Sequence, residues 1–303
     1  MQRQKQLTFK SKDYIFDIWG TENLSLAGPG PCWPLPNISI SEKSPMKTNL
    51  IYHVTPMSEN NVWVDNINCL LKYIHVFNNK KIINIAVGDD LLAAEEVKRY
   101  FIGFDAEFIT TANDPKTRET ASLIRLLEEV NSIDSDEITF FAHTKGTTRQ
   151  GDALKTSVLW YEYMYRYNLS DIAKVKKVLT KYPCCGCFKR SGYRAYNFPR
   201  FSKWHYSGTF FWFNNRALFS RNWREIENSR LGAEAYLSRF FSDREAYCLF
   251  MKNTYDLYHM DYWNEVVFPF EKALKLGRKF IDPDIFCFLL FVIYRLRKRL
   301  MKK

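Results

Sequence analysis

The sequence predicts an α/β fold: a mostly parallel central sheet flanked by helices, followed by a helical C-terminal tail. Three observations carry that expectation. Between residues 49 and 146, short apolar strands alternate with amphipathic helices four times over, the pattern that builds parallel strands joined by helical crossovers. Right-handed crossovers gather the C-terminal ends of such strands on one edge, where open α/β sheets bind ligands. The chain has 303 residues, 46% hydrophobic and 25% charged, enough to bury a full core without disulfide or metal staples.

Residues 1–46 read as an irregular extension. The stretch AGPGPCWPLP (27–36) packs four prolines and two glycines into ten residues, which neither a helix nor a central strand tolerates. Phe16, Trp19 and Trp33 are the side chains through which it would pack on the body. LIYHVTPM (50–57) reads as a buried strand, after which Trp63, Ile67, Leu70, Leu71, Ile74 and Phe77 recur at helical spacing. KKIINIAVG (80–88) is a second strand, 91–101 a second helix and AEFITTAND (106–114) a third strand. The third helix, 117–130, turns Leu123, Ile124, Leu127 and Val130 inward and its acidic residues outward. EITFFAHTKG (137–146) is the fourth strand. The alternation then stops. Two helices (154–167 and 170–181), the cysteine-rich CCGCFKR, one aromatic strand WHYSGTFFWFN (204–214), a helical stretch over 216–227 and a helix AEAYLSRFF (233–241) follow. With no internal repeat and no linker before residue 270, one domain over 47–270 is expected, with 271–303 as a distinct tail.

The formal charge of +11 is unevenly spread. Segment 271–303 has ten basic and three acidic residues, a net of +7, which leaves 11 − 7 = +4 for the other residues. A near-neutral body with a basic tail argues against a protein that coats nucleic acid uniformly. Seven cysteines, an odd number in a long chain, suit a reducing, cytosolic compartment. The N-terminal MQRQKQLTFKSKDY has no apolar core of a signal sequence, so neither a secretory signal nor an N-terminal anchor is expected.

The loops after the four strands carry Thr55–Pro56, Gly88–Asp89–Asp90, Asn113–Asp114 and His143–Thr144–Lys145–Gly146. An apolar strand that delivers a histidine, a hydroxyl and a lysine to the ligand edge, with Arg149 just beyond, is a phosphate-binding pattern. It differs from a Walker loop, in which the glycines precede the lysine. Gly146 permits the tight turn. In the second constellation, Tyr206, Ser207, Gly208 and Thr209 stand among Trp204, His205 and Trp212. The glycine would let a ligand approach the backbone, the hydroxyls would bond sugar hydroxyls and the tryptophans would stack.

FAHTKG (141–146) followed by WHYSGTFFWFN (204–214) resembles a family of bacterial polysaccharide glycosyltransferases, and is similar to the glycosyltransferase-like proteins of rhamnan synthesis. IYHVTP (51–56), KKIINIAVG (80–88) and TRETASLIRLLEE (117–129) support the resemblance, which spans about residues 49–265. It implies a GT-A-like nucleotide-sugar fold. It also implies transfer of a sugar from a nucleotide-sugar donor, a UDP-sugar foremost, to a hydroxyl of a surface polysaccharide or lipid-linked glycan, as in capsule or lipopolysaccharide synthesis. Lys145 and His143 would face the diphosphate, Thr55, Asn113, Arg118, Thr144 and Arg149 would shape the donor site, and Tyr206, Ser207, Gly208, Thr209 and Trp212 the acceptor site. Glu234 would take the acceptor proton, with Asp243 and Glu245 as alternatives.

The resemblance brings one departure. Many GT-A enzymes hold a divalent metal with an Asp-x-Asp pair after a core strand. Here Asp134–Ser135–Asp136 precedes its strand and Asp282–Pro283–Asp284 lies in the tail, so neither is expected to bind metal. Lys145 stands where the carboxylates would be and could neutralise the leaving diphosphate itself. No cofactor is therefore expected, with Mg²⁺ or Mn²⁺ as the alternative. Cys184-x-x-Cys187 has zinc-finger spacing but no second pair, and reads as structural cysteines in a tight turn. His53, His75 and His259 read as structural or surface residues.

The tail joins ten consecutive apolar residues, IFCFLLFVIY (285–294), to RLRKRLMKK, with six basic residues in nine. A span needs about 20 apolar residues. The shorter run suits a helix lying at the inner face of the cell membrane, and the competing expectation is a C-terminal core helix. Two other functions compete with transfer: a basic nucleic-acid-binding protein that uses the aromatic strand as a stacking platform, and a non-catalytic sugar-binding relative.

Overall fold

The structure is a computed structural model and describes residues 46–87, 90–133, 136–192, 202–276 and 282–300. All but the last residue of the extension expected over 1–46, with Phe16, Trp19 and Trp33, lies outside the described residues, as do Gly88, Asp89, Asp134 and Ser135. The described residues form one compact unit.

The first part follows the sequence closely. Strand β1 (Lys47–Val54) leads to helix α1 (Val62–Leu71), β2 (Lys81–Ala86) to α2 (Leu91–Tyr100), and β3 (Glu107–Thr111) to α3 (Thr120–Glu129). Strand β4 (Glu137–His143) precedes the long α4 (Gly151–Leu169) and α5 (Ile172–Leu179). These strands are parallel neighbours in the order β3-β2-β1-β4. β1, β2 and β4 are buried along almost their whole length because both faces are covered, whereas the edge strand β3 (EFITT) is only partly buried. Leu50, Tyr52, Ile83, Ile85 and Phe140 point to the face packed by α1, α2, α4 and α5. Ile51, Ile82 and Phe141 point to the other face, against Leu123, Leu126 and Leu127 of α3.

Three expectations need correction beyond β4. The cysteine-rich segment forms a strand, β5 (Cys184–Cys187), inside the main sheet, where a tight turn was expected. Alternate residues of a strand face opposite ways. Cys184 accordingly packs with the α3 side while Cys185 and Cys187 pack with the α4 side, so the C-x-x-C pair cannot converge on one ion. Second, the run 204–214 is two strands in different sheets. β7 (Trp204–Tyr206) pairs antiparallel with β6 (Lys189–Ser191), whereas β8 (Phe211–Asn214) enters the main sheet between β4 and β5, antiparallel to both. The break falls where Gly208 and Thr209 take φ of +99° and +66°, a backbone that cannot continue a strand. Third, the helices after β8 are shorter than expected: α6 (Asn215–Phe219), then α7 (Gly232–Ala235) with a 3-10 turn over Tyr236–Arg239.

Strand β9 (Ala246–Phe250), unanticipated in sequence, closes the sheet beside β5 in parallel, giving the order β3-β2-β1-β4-β8-β5-β9 among the described residues. The chain ends in α8 (Met260–Tyr262), a π-turn (Trp263–Val267), α9 (Phe268–Lys275) and α10 (Pro283–Leu300). The expected tail helix exists, and it packs on the body through Cys287 and Tyr294. No helix among the described residues is long and apolar enough to cross a membrane.

Candidate active site

The C-terminal ends of β1, β3 and β4 open into one cavity. Thr55 and Met57 after β1, Asn113 and Pro115 after β3, and residues 144–149 after β4 line one side. Gly208, Thr209, Arg230 and Glu234, from the later part of the chain, line the other. Ten of the sequence-predicted site residues are thereby brought together: Thr55, Asn113, Arg118, His143, Thr144, Lys145, Arg149, Gly208, Thr209 and Glu234.

The β4 loop is built by backbone bonds. The Thr144 N–H donates to the His53 carbonyl at 2.9 Å, and Thr55 N–H donates to Thr144 Oγ1 at 2.9 Å, which ties the ends of β1 and β4. Asn66, buried on α1, clamps the next residue. Its Oδ1 accepts from Lys145 N–H at 3.2 Å and its Nδ2 donates to the Lys145 carbonyl at 3.1 Å. Gly146 then turns the chain at φ +90°, and a Cβ there would meet the Ser157 Cβ at 2.9 Å. The geometry thus gives Gly146 the role its sequence position implied.

Lys145 Nζ lies 3.9 Å from the centroid of the Trp160 ring, and the Arg149 guanidinium 5.1 Å from that of Tyr258. Trp160 and Tyr258 meet edge to face at 5.1 Å. Cations over aromatic faces are attracted to the ring quadrupole and held without being neutralised. Arg118 approaches from the start of the α3 segment with φ of +53°. This left-handed backbone is uncommon for arginine and a recurring mark of functional sites. Its N–H bonds the Asp114 carbonyl at 2.7 Å. Burial, then the neighbouring Arg230 guanidinium, lowers the Arg118 pKa. Thr117 Oγ1 and the Lys116 N–H bond the Asp114 carboxylate and hold its pKa below the ordinary value.

His143 lines the cavity as a buried group. It is 9% exposed, and burial followed by the Lys145 charge pushes its pKa down to about 3. It is therefore neutral near pH 7 and adds no positive charge against a diphosphate. Its Nε2–H donates to the Gly208 carbonyl at 3.1 Å, which makes it a positioning group. Its nearest carboxylate is Glu119, with Nε2 and Oε1 3.9 Å apart. His53, expected to be structural, lines the cavity as well; burial takes its pKa to about 4, and it bonds Ser122 Oγ at 2.7 Å and Thr55 Oγ1 at 3.1 Å.

Glu234 sits on the opposite wall, with its Oε1 accepting from the Gly208 N–H at 3.1 Å. Behind it, the His205 Nε2 lies 3.8 Å from the same oxygen and has no hydrogen-bond partner among the described residues. The alternatives to Glu234 lie outside the cavity lining. Asp243 is paired with Lys189 at 2.9 Å, and Glu245 is spent on a capping box with Ser242.

Part of the expected acceptor site fails on burial. Trp212 is fully buried, with ring centroids 5.0 Å from Phe140 and 5.8 Å from Phe77 and its Nε1–H bonded to the Asn168 carbonyl. No face is left for a sugar or a base. Tyr206, 2% exposed, spends its hydroxyl on the Tyr247 carbonyl at 2.8 Å. Ser207, 3% exposed, lies behind the wall, its carbonyl accepting from Trp160 Nε1 at 3.2 Å. Gly208 does line the cavity, yet the space its missing side chain leaves is taken by protein: a Cβ would stand 2.6 Å from Met164 Sδ. The aromatic residues of 204–213 are buried, so this segment is not the exposed stacking platform that the nucleic-acid alternative invoked.

Sequence reasoning missed Glu119, Arg230 and Tyr258, all of which line the cavity. Glu119 belongs to a helix whose acids were expected to face outward. Arg230 lies in the turn before the helix that carries Glu234, and no local pattern marks it. Nothing in the local pattern marks Tyr258. Among the described residues no group of three or more His, Cys, Asp or Glu is arranged to hold a metal ion. Asp284 of the Asp282–Pro283–Asp284 pair is instead bonded to Lys252 at 2.7 Å.

No protein-family model matches the chain, and no curated protein matches it. Solved structures similar to it include 4-diphosphocytidyl-2C-methyl-D-erythritol synthase from Anaerococcus prevotii, at 11% identity over 69% of this chain and 90% of that one, with a TM-score of 0.36. Another is a chain described as a nucleotide-diphospho-sugar transferase from Desulfovibrio desulfuricans, at 10% identity over 82% of this chain and 97% of that one, with a TM-score of 0.33. 

Proposed function

We propose that this chain is a glycosyltransferase with a GT-A-like fold that transfers a sugar from a nucleotide-diphospho-sugar to a glycan hydroxyl. One observation carries the reading. Four cations (Arg118, Lys145, Arg149 and Arg230) and two carboxylates (Glu119 and Glu234) line a single cavity at the C-terminal ends of the parallel strands. The excess of positive charge suits a diphosphate, which accumulates charge as the glycosidic bond to it breaks. Preset cations that stabilise developing charge are a large source of rate enhancement. Lys145 and Arg149 would take the leaving diphosphate, and Glu234 would accept the proton of the attacking hydroxyl. Thr55, Asn113 and Thr144 would contribute polar contacts to the donor. A base acting directly on the acceptor would give inversion at the sugar carbon.

The acceptor in this reading is a growing surface glycan, lipid-linked, presented at the inner face of the cell membrane. The reaction needs no divalent metal in this reading, because the arginines and Lys145 supply the countercharge. The resemblance of the HTKG and YSGTFFW segments to polysaccharide glycosyltransferases supports the same assignment.

The decisive experiment is a thermal-shift screen with nucleoside diphosphates and nucleotide sugars, followed by transfer assays with any that bind. A ligand specific to the folded state adds about 2.7 kcal/mol at a hundredfold excess over Kd. A concentration-dependent rise with one nucleotide sugar, together with release of its nucleoside diphosphate, is the expected result. Indifference to every nucleotide sugar would overturn the reading.

A further inference from the structure

The last helix has two unlike sides. One is packed: Cys287 and Tyr294 are buried, Tyr294 Oη donates to Asp256 Oδ2 at 3.0 Å, and the Tyr294 ring meets that of Tyr262 at 5.4 Å. The other is apolar and open. Ile285, Leu289, Ile293, Leu296 and Leu300 are 56%, 44%, 51%, 53% and 72% exposed. At 100° per residue these five fall within an arc of roughly 80° on the side opposite Cys287 and Tyr294. The same wheel puts Arg297 about 40° beyond one border of the stripe and Arg299 about 40° beyond the other, where the half-exposed Phe288 near the opposite end of the helix widens the apolar face. Arg297 is 66% exposed along its side chain, with Glu265 at 3.5 Å. Six of the nine residues 295–303 are basic and none is acidic.

An aqueous surface does not ordinarily keep such a stripe bare. Charge complementarity selects its occupant, since arginines flanking an apolar stripe match the anionic headgroups around an acyl layer. We propose that α10 is a membrane-docking helix, which buries the Ile285–Leu300 stripe in the interface of an anionic bilayer while its other side stays packed on the protein. The helix and the candidate active site share a wall. Between β9 and α8 the chain contributes Tyr258 to the cavity, while the preceding Tyr255 and Asp256 contact Arg295, Tyr294 and Lys298 of the helix. Docking would therefore hold the cavity close to a membrane-borne acceptor.

The docking claim stands apart from the transferase reading, and its test needs no sugar. The full-length chain is sedimented with vesicles of phosphatidylcholine alone and of phosphatidylcholine with phosphatidylglycerol. The expected result is binding to the anionic vesicles that weakens as salt is raised. Leu289→Glu combined with Ile293→Glu lies wholly on the exposed stripe and should keep the melting temperature. It should lower vesicle partitioning roughly tenfold or more. Arg297→Gln with Arg299→Gln should lower binding to anionic vesicles and leave the weak binding to neutral ones unchanged. The proposal is overturned if the wild type stays in the supernatant with anionic vesicles at low salt, or if the Leu289/Ile293 variant binds as the wild type does. Sedimentation velocity without lipid supplies a further arm: a stable dimer that the Leu289/Ile293 variant dissolves would make a second copy the occupant and overturn the membrane assignment.

Discussion

His143 and Glu234 hold opposite ends of the same residue. His143 donates to the carbonyl of Gly208, and the N–H of Gly208 donates to Glu234, both at 3.1 Å. A parallel strand of the first half is thereby tied, through one left-handed glycine, to the carboxylate contributed by the second half. The link also aims Glu234 into the cavity by fixing one of its oxygens.

Replacing Glu234 should separate chemistry from binding. Glu234→Gln keeps an oxygen able to accept from Gly208 N–H but removes the basicity. Nucleotide-sugar affinity should stay within a few-fold of wild type, while transfer falls about 10²–10⁴-fold, the range for loss of a general base. Calorimetry and product release measured on the same preparation check this, and a variant of near-normal rate would take the proton-accepting role away from Glu234.

Lys145→Ala should lower binding as well as transfer. The lysine is seated on Trp160 and has no ion-pair partner among the described residues, so its charge is available to a ligand. Its removal should weaken nucleoside-diphosphate binding and slow transfer by about 10²-fold, with little effect on the melting temperature. In wild type, transfer should persist in excess EDTA. Loss of activity on chelation, restored by Mg²⁺ or Mn²⁺, would assign the countercharge to a metal ion.

Gly208→Ala tests the link itself. The added methyl meets the Met164 sulfur at 2.6 Å and must adopt φ of +99°. Strain of this kind, with overpacking, costs about 1–3 kcal/mol. Urea denaturation should register that loss, and transfer by the folded fraction should fall as Glu234 loses its alignment. A variant as stable and active as wild type would show that the turn tolerates a side chain.

Stability should fall with acid through the two buried histidines. Burial depresses His53 to about 4 and His143 to about 3, whereas the unfolded chain titrates near 6.5. Between those values the unfolded state binds more protons, so stability rises with pH across roughly 3 to 6.5 and is fully present above it. Each group contributes a slope of at most about 1.4 kcal/mol per pH unit. His143→Gln should reduce the slope measured by denaturation at pH 4.5 to 6.5, and an unchanged slope would mean that His143 is charged in the native protein.

Trp212→Ala should cost about 3–5 kcal/mol, the usual loss for a large buried aromatic. Its nucleotide affinity, measured well below the lowered melting temperature, should be unaltered. A selective loss of ligand binding at normal stability would restore a stacking role to this ring.

The four parallel strands and the loop residues Thr55, Asn113, Lys145 and Arg149 were legible because they depend on local pattern: apolar runs, helical spacing, and a polar cluster just past each strand. What was not legible depended on distance. Whether Trp212 was a stacking surface or core turned on Phe77 and Phe140, which come from other elements. The break within 204–214 is set by Met164 and Trp160 crowding Gly208 and by pairing with β4, β5 and β6, none of which is adjacent in sequence. Arg230 and Tyr258 enter the cavity only through tertiary folding. His143 does line the cavity, but its burial was not legible, because composition carries no measure of desolvation.

Because β8 lies between β4 and β5, the cavity gathers residues from His53 to Tyr258 and no short stretch contains it. Its closure is a long-range event, and loop-closure entropy opposes bringing the Gly208 turn to the end of β4. A ligand in the cavity therefore bridges segments that come together only in the completed fold. It should retard global unfolding as a whole, and bound nucleotide should protect the amides of β1 and β8 from exchange to the same extent.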